Sequence, residues 1–279
     1  MGSQRLILVD GSGYIFRAFY VLPPMSRDDG TPVNAVFGFT SMLLKLSEDM
    51  EGENILVVFD AARTTFRNAI YKEYKANRSE PPEELVPQFD LIKKATTAIG
   101  LKSLEVENYE ADDIIATYVK IAKKENIETL VISSDKDLMQ LIQDGVSLYD
   151  PMKNIKIGPE AVLKKFGVSP DKVIDVQALA GDSSDNVPGV PGIGVKTASQ
   201  LINEYGSLEK LLGNASSIKQ EKRRESLLNN AELAIVSKKL VSLFSDVPIP
   251  YEISDLKWTP RNDDNLLAFL KENNFKRLE

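Results

Sequence analysis

Asp10, Asp60, Glu110, Asp112, Asp113, Asp135, Asp137, Asp182 and Asp185 are the residues of this chain best placed to do chemistry. Three of them end the same kind of segment, a run of apolar β-formers closed by an acid. These are RLILVD at Asp10, NILVVFD at Asp60 and ETLVISSD at Asp135. In an open parallel α/β sheet the carboxyl ends of the strands face one crevice, where ligands bind. The acids are therefore expected to converge although they lie far apart in sequence. Two carboxylates about 4 Å apart repel by about 1 kcal/mol in water and about 4 kcal/mol at an effective dielectric of about 20. Nine of them cannot fold ionised without compensation, and divalent metal ions are the obvious compensation.

Composition narrows that chemistry. The 279 residues include no histidine, which excludes a Ser-His-Asp triad, an imidazole general base and any His-ligated metal. Hydrolysis is then left to water activated by a metal ion. Cysteine is absent too, so there is no disulfide and no thiolate zinc site, in keeping with a reducing compartment. No apolar run approaches the roughly 20 residues of a membrane helix. Strand-like RLILVD stands where a secretory segment would lie, so a cytoplasmic protein without membrane contact is expected. The net charge of −7 argues against a polyanionic partner only until the acids are sorted. Taking the nine from 41 Asp+Glu leaves 32 against 34 Lys+Arg. The acidity can be local, a pit on a near-neutral surface, and a nucleic-acid partner is permitted.

The elements that must position these acids follow from periodicity. Residues 5–10, 54–60, about 103–106 and 129–135 read as strands. Gly11-Ser12-Gly13 reads as a turn before a helical stretch, Tyr14–Tyr20. Asn34–Leu46, 83–99, a stretch starting near Glu110, and Asp137–Gln143 read as further helices. Such alternation argues for a mostly parallel sheet. From about Ser169 the strands fade, and short helices with Gly-rich turns run to about Leu243. The expected division is an α/β core over 1–168, a helical subdomain over 169–245, and a tail over 246–279 with a last helix near 263–273.

Several motifs carry two readings. Glu110-Ala111-Asp112-Asp113 precedes the apolar helix IIATYVKIA, and acids favour a helix start through the dipole alone. Glu110 and Asp113 share one helical face, so metal ligation and capping are both open. Asp135-Lys136-Asp137, at a strand-to-helix junction, offers the same choice. Gly181-Asp182-Ser183-Ser184-Asp185-Asn186 leads into Pro191-Gly192-Ile193-Gly194-Val195-Lys196-Thr197, which reads as the hairpin of a helix-hairpin-helix, with a plain Gly/Pro loop between core helices as the alternative. Its glycines let a phosphate approach the N–H groups of the next helix start, with Lys196 adding charge. In a Walker A loop the Lys directly follows a Gly, whereas here Val195 intervenes. Within the basic-aromatic run 65–78, Arg67, Tyr71, Lys75 and Arg78 would share one helical face with Tyr74 beside it. That face suits phosphate clamping and base stacking, and a solvated charged helix is the plainer alternative. Lys219, Lys222, Arg223 and Arg224 read either as a solvated face or as added duplex-backbone contacts.

Taken together, LILVDGSGYIFRAFY, VVFDAARTTFRNAIYKEYKANR, YEADDIIATYVKIA, ISSDKDLMQL and LAGDSSDNVPGVPGIGVKTA resemble the 5′-nuclease (flap endonuclease) superfamily in type and order. Within it they look most like the N-terminal 5′→3′ exonuclease domains of bacterial DNA polymerase I, from about Leu6 to Leu243. The resemblance implies an α/β, PIN-like fold: a mostly parallel central sheet flanked by helices, a helical arch at about 61–82, and a C-terminal helix-hairpin-helix subdomain. It implies a structure-specific 5′→3′ exonuclease and 5′-flap endonuclease that hydrolyses DNA phosphodiesters in primer removal, replication and repair.

The same resemblance implies two Mg2+ ions, with Mn2+ able to substitute, and K+ at the hairpin. Asp10, Asp60, Glu110 and Asp112 would surround the ion that holds the attacking water. Asp135, Asp137, Asp182 and Asp185 would serve a more distant one, with Asp113 in support. Lys75 and Arg78 would polarise the scissile phosphate and Tyr74 would stack on a base. Gly192, Ile193, Gly194, Lys196 and Thr197 would grip duplex, with Arg67 and Tyr71 adding contacts from the arch. The expected partners are DNA with 5′ flaps, nicks or 5′ ends next to duplex. A monomer is expected, either an excised domain continuous with a polymerase or a free-standing nuclease.

Three rival readings account for less of the chain. An Asp-nucleophile phosphatase wants a second acid two positions after Asp10, where Ser12 stands. A PIN-domain ribonuclease shares the strand-end acids but lacks the hairpin after Asp185. A binding module for branched DNA, with vestigial acids, has no use for an intact acid set.

Overall fold

Apolar runs short enough for strands, alternating with one-faced helical segments, give the chain its order of elements. The computed structural model describes residues 5–50, 53–151, 153–258 and 263–278. β1 (Leu6–Asp10) runs directly into α1 (Gly11–Val21). Then come α2 (Asn34–Asp49), β2 (Asn54–Val58), α3 (Phe66–Ile70), α4 (Val86–Ile99), β3 (Lys102–Leu104), α5 (Ala111–Lys124) and β4 (Thr129–Ile132). A 3₁₀ turn at Asp137–Leu141 precedes β5 (Val146–Asp150), β6 (Ile155–Ile157), α6 (Pro159–Phe166), α7 (Val173–Ala180) and α8 (Val195–Tyr205). α9 (Leu208–Gly213), α10 (Glu221–Asn229), α11 (Ala231–Val241) and α12 (Asp263–Glu272) follow. These elements form two compact units. Unit one holds the chain up to Ala61, Glu80–Ser134 and the part from Ser245 on, while unit two holds Ala62–Ser79 and Asp135–Phe244.

In unit one the strands stand in the order β3-β2-β1-β4 and every pairing is parallel, with Leu8 beside Leu56 on one side and Val131 on the other. All residues of β1 and β2 are buried, which suits strands covered on both faces and explains their unbroken apolar runs. α2 packs on α1 and α4, α12 packs on α4, and α5 lies against β1, β2 and β4. The strands end sooner than expected, at Val58 and Ile132, so Asp60 lies beyond its strand. The turn expected at 11–13 is instead the first turn of α1. Asp10 caps it at once, accepting from the Gly13 N–H at 3.0 Å.

Unit two is helical, apart from the antiparallel β5–β6 hairpin, in which Leu148 pairs with Ile157. α7 packs on α8, α9 and α11, burying Val176, Leu179, Leu201 and Leu240. The helix expected over Asp137–Gln143 is only a 3₁₀ turn. The chain must reverse at Gly145 (φ 76) into β5 before an α-helix can propagate.

Candidate active site

In unit one the acids sit where strands give way to helices. Asp10 ends β1 and is buried. One oxygen caps α1, and the other, Oδ2, accepts from the Ser133 hydroxyl at 2.7 Å. A Cβ on Gly13 would stand 2.8 Å from Asp10 Oδ2, so the carboxylate lies in a cradle that a side chain would fill. Asp60 is exposed. Its N–H donates to Ser12 Oγ at 3.0 Å, and its Oδ1 accepts from the Ala111 N–H at 2.8 Å, at the start of α5. Glu110 caps that helix in a reciprocal box with Asp113, whose Oδ2 accepts from the Glu110 N–H at 3.1 Å. Asp112 is half-buried in the first turn. Asp113 is fully buried and turned back into the cap.

In unit two Asp135 accepts from the Asp137 N–H at 2.8 Å, and the Gln177 amide donates to Asp137. Asp182 and Asp185 ride a loop closed by reciprocal backbone bonds between Asp182 and Val187, of 3.0 and 2.8 Å. Lys136 and Ser184 serve Asp182, and Lys75 and Arg78 serve Asp185. Burial first, then the neighbouring Asp135, pushes Asp137 up to about 7. Asp182 and Asp185 add to the push, and the Gln177 hydrogen bond opposes it. Asp182 moves the other way. Burial would raise it, but hydrogen bonds from Lys136 and Ser184 hold it below the usual carboxylate range.

Among the described residues no group of three or more acids is close enough to hold an ion between them. Asp10, Asp60, Asp113 and Asp135 accept from backbone N–H groups, and Asp182 and Asp185 pair with cations, which offsets the repulsion between carboxylates. The donor chemistry nevertheless fits a hard divalent ion. It is all oxygen, it is crowded enough in unit two to raise Asp137, and in unit one it includes a cradle kept open by Gly13.

The basic-aromatic segment departs from expectation. Only Phe66–Ile70 is helical, closed by a Thr65–Asn68 capping box, and from Tyr71 the chain makes turns, so the predicted common face does not form. Arg67, expected against DNA, is 1% exposed, and its guanidinium donates to the carbonyls of Leu240 (2.8 Å) and Ser242 (3.0 Å). Tyr74, expected to stack on a base, is buried with Val187 and Leu240. Burying two large side chains braces the segment from within. Tyr71 is half-buried, Lys75 is partly buried, and Arg78 is exposed.

At the hairpin, Gly192 has φ +80 and open space where a Cβ would be, and Gly194 precedes the first turn of α8. Ile193 is buried, Lys196 exposed and Thr197 half-buried. Pro191, Gly192 and Ile193 line a groove of about 270 Å³ together with Gln220, Lys222, Arg223 and Ser226. Ser226 Oγ donates to the Pro191 carbonyl at 2.6 Å, fixing α10 to the hairpin. Arg224 turns away to the Ile218 carbonyl. Sequence reasoning missed Ser12, Ser133 and Gln177 as partners of the acids. Each is an ordinary polar residue with no local pattern to single it out.

A family model described as 5′-3′ exonuclease, N-terminal resolvase-like domain, matches residues 5–167, and one described as 5′-3′ exonuclease, C-terminal SAM fold, matches 168–264. The chain belongs to the 5′-3′ exonuclease family. This exonuclease is 51% identical over 284 residues to DNA polymerase I of Rhizobium leguminosarum, an alignment covering 99% of it. It is 41% identical over 278 residues to DNA polymerase I of Bacillus caldotenax, covering 98%. It spans 28% and 32% of the lengths of those two relatives. Its fold is similar to that of T5 5′-exonuclease with bound zinc, with a TM-score of 0.73, 24% identity and coverage of 86% of this chain and 90% of that one. It is also similar to the catalytic core of Rad2 in complex with DNA substrate, with a TM-score of 0.65, 16% identity and coverage of 97% and 88%. The expected fold, a mostly parallel sheet flanked by helices and followed by a helical part, is met. Among the described residues of the exonuclease, no helix is long and apolar enough to cross a membrane.

Proposed function

We propose that the exonuclease hydrolyses DNA phosphodiesters at 5′ ends, nicks and 5′ flaps joined to duplex, using Mg2+, with Mn2+ able to replace it. The observation that carries this reading is the all-oxygen acid set, where strands give way to helices in unit one and crowded in unit two, in a chain without histidine. When bound, divalent ions supply a water of lowered pKa and neutralise charge at the phosphate. Asp10, Asp60, Glu110 and Asp112 would hold one ion, and Asp135, Asp137, Asp182 and Asp185 another. Asp113 keeps Glu110 in place through the capping box.

Lys75 and Arg78 would meet the charge that develops on the non-bridging oxygens. Tyr71 would line the path of the strand, while Arg67 and Tyr74 brace the segment that carries all three. Gly192, Ile193 and Gly194 would let a duplex phosphate reach the N–H groups at the start of α8, with Lys196, Thr197 and a K+ ion completing the grip. Lys222 and Arg223 would extend it along the groove. In this division of labour 1–168 cleaves, 169–245 holds duplex, and 246–279 leads toward a polymerase that continues the chain. Primer removal and repair in the cytoplasm, by a monomeric nuclease, are the corresponding roles.

The test offers a labelled 5′-flap duplex, a matching single strand and an RNA analogue, each with Mg2+ or EDTA. Cleavage of the flap duplex in Mg2+ and none in EDTA is expected. Turnover in EDTA, or binding without cleavage in Mg2+, overturns the reading.

A further inference from the structure

Within unit two, residues 73–78 are stitched to the loop 183–186 around one side chain. The Lys75 N–H donates to the Asp185 carbonyl at 2.9 Å, Asn77 Nδ2 to the Ser183 carbonyl at 2.7 Å, and Asn186 Nδ2 to the Glu73 carbonyl at 2.6 Å. The Asp185 carboxylate then takes Arg78 Nη2 on Oδ1. On Oδ2 it takes the Tyr74 hydroxyl at 3.4 Å, with Lys75 Nζ 3.6 Å away. Lys75 adopts left-handed backbone, φ 56, a conformation that a residue with a Cβ keeps only where its surroundings impose it. Asp185 is buried, so its charge is weakly screened and attracts both cations. Both of its oxygens are engaged by donors of the same short segment. A divalent ion that binds Asp185 has to compete with them.

We propose that Asp185 is a positioning residue that exchanges partners. It holds Lys75 and Arg78 together until a divalent ion takes its carboxylate, and the two cations then turn to the DNA phosphate. Ion entry and phosphate clamping are thereby coupled through one side chain. The inference rests on the proposed roles of Lys75 and Arg78 at the phosphate and of Asp185 at an ion.

The test is equilibrium binding of a 5′-flap duplex to the full chain, in EDTA and in Ca2+. In EDTA, Asp185→Asn is expected to bind about tenfold tighter than the unsubstituted protein, the worth of one charge-assisted contact made available. Ca2+ is expected to close most of that gap. Adding Arg78→Ala to Asp185→Asn should remove most of the gain. Asp182→Asn deletes an equal charge held by Lys136 and Ser184, and any gain it shows should survive Arg78→Ala. If Asp185→Asn and Asp182→Asn behave alike in this cycle, the gain is general charge removal and the exchange is overturned. A second arm does not depend on the folding of Asp185→Asn. Lys75→Met/Arg78→Met should bind Mn2+ more tightly than the unsubstituted protein in calorimetry without DNA, and equal affinity overturns the exchange. A protein that binds no flap duplex in any condition overturns the functional reading itself, and the exchange with it.

Discussion

The Ser133 hydroxyl donates to Asp10 Oδ2 across 2.7 Å, joining the residue just beyond β4 to the last residue of the neighbouring β1. Ser133 is 1% exposed, so the bond is shielded from water and fixes which way the Asp10 carboxylate faces. Loss of a partner that orients a metal-binding group commonly costs about 10–100-fold in affinity or activity. Ser133→Ala is therefore expected to lower turnover by that order while costing about 1 kcal/mol in denaturant unfolding. Flap binding in EDTA should be unchanged. Full turnover in the variant would show that Asp10 needs no such partner.

Gly13→Ala separates site geometry from stability. Alanine raises helix propensity over glycine by about 1 kcal/mol, yet its Cβ would stand 2.8 Å from Asp10 Oδ2. The expected outcome is a melting temperature near that of the unsubstituted protein, with turnover reduced by about tenfold or more. Undiminished turnover would mean that Asp10 can move without consequence.

Asp135→Asn should abolish cleavage and leave flap binding in EDTA largely intact, because it removes an oxygen donor without touching the hairpin. Rates from single-turnover quench and affinities from anisotropy check the two halves separately. Retained turnover would sink the ion-holding role.

The hairpin groove predicts a salt signature. Each phosphate contact contributes about 0.9 to the slope of log affinity against log salt. Lys222→Ala/Arg223→Ala is expected to flatten that slope by about 1–2, with cleavage of bound substrate unchanged. Lys196→Glu should weaken duplex binding at low salt more than it alters cleavage of bound substrate. Unaltered slopes and affinities would place the duplex elsewhere.

Lys238 gives a stability prediction with a sign. It bridges Asp175 (2.7 Å) and Glu209 (2.6 Å). Burial would lower the Lys238 pKa, but the hydrogen bonds to Asp175 and Glu209 outweigh it and the net shift is upward. Its contribution is thus present below the ordinary lysine value and lost as pH rises through the folded one. Glu209 is shifted down, chiefly by the Lys238 hydrogen bond, so its contribution is present above its ordinary value of 4.5 and lost as pH falls through the folded one. Lys238→Met should lose stability near neutral pH, by about 1 kcal/mol or more, because the Glu209 end is solvent-screened but Asp175 is buried. The loss should shrink below about pH 4 and again at strongly alkaline pH. Melting curves across that range check it, and a constant difference would count against the ion pairs.

Much of the fold was legible because it rests on local patterns. LILVD and NILVV are apolar throughout, as strands covered on both faces must be, and both form central parallel strands. The 110–113 tetrapeptide left capping and ligation open. The structure shows capping by Glu110 and Asp113, which fixes the backbone that presents Asp112. The basic-aromatic run departs from helical spacing because extended Tyr71 (φ −146, ψ 111) ends α3, and contacts with the 183–186 loop hold the turns that follow.

By itself the sequence determined an α/β chain with acids near strand ends, a histidine-free acid set and a Gly-rich hairpin, since each depends on residue type and spacing over a few positions. Only the tertiary structure decided that Arg67 serves carbonyls at Leu240 and Ser242, that Ser133 orients Asp10, and that Asp185 holds Lys75 and Arg78. A hydrogen bond between residues 173 positions apart leaves no trace in local periodicity. The choice among equally polar neighbours is made by whichever donor the folded chain brings within about 3 Å.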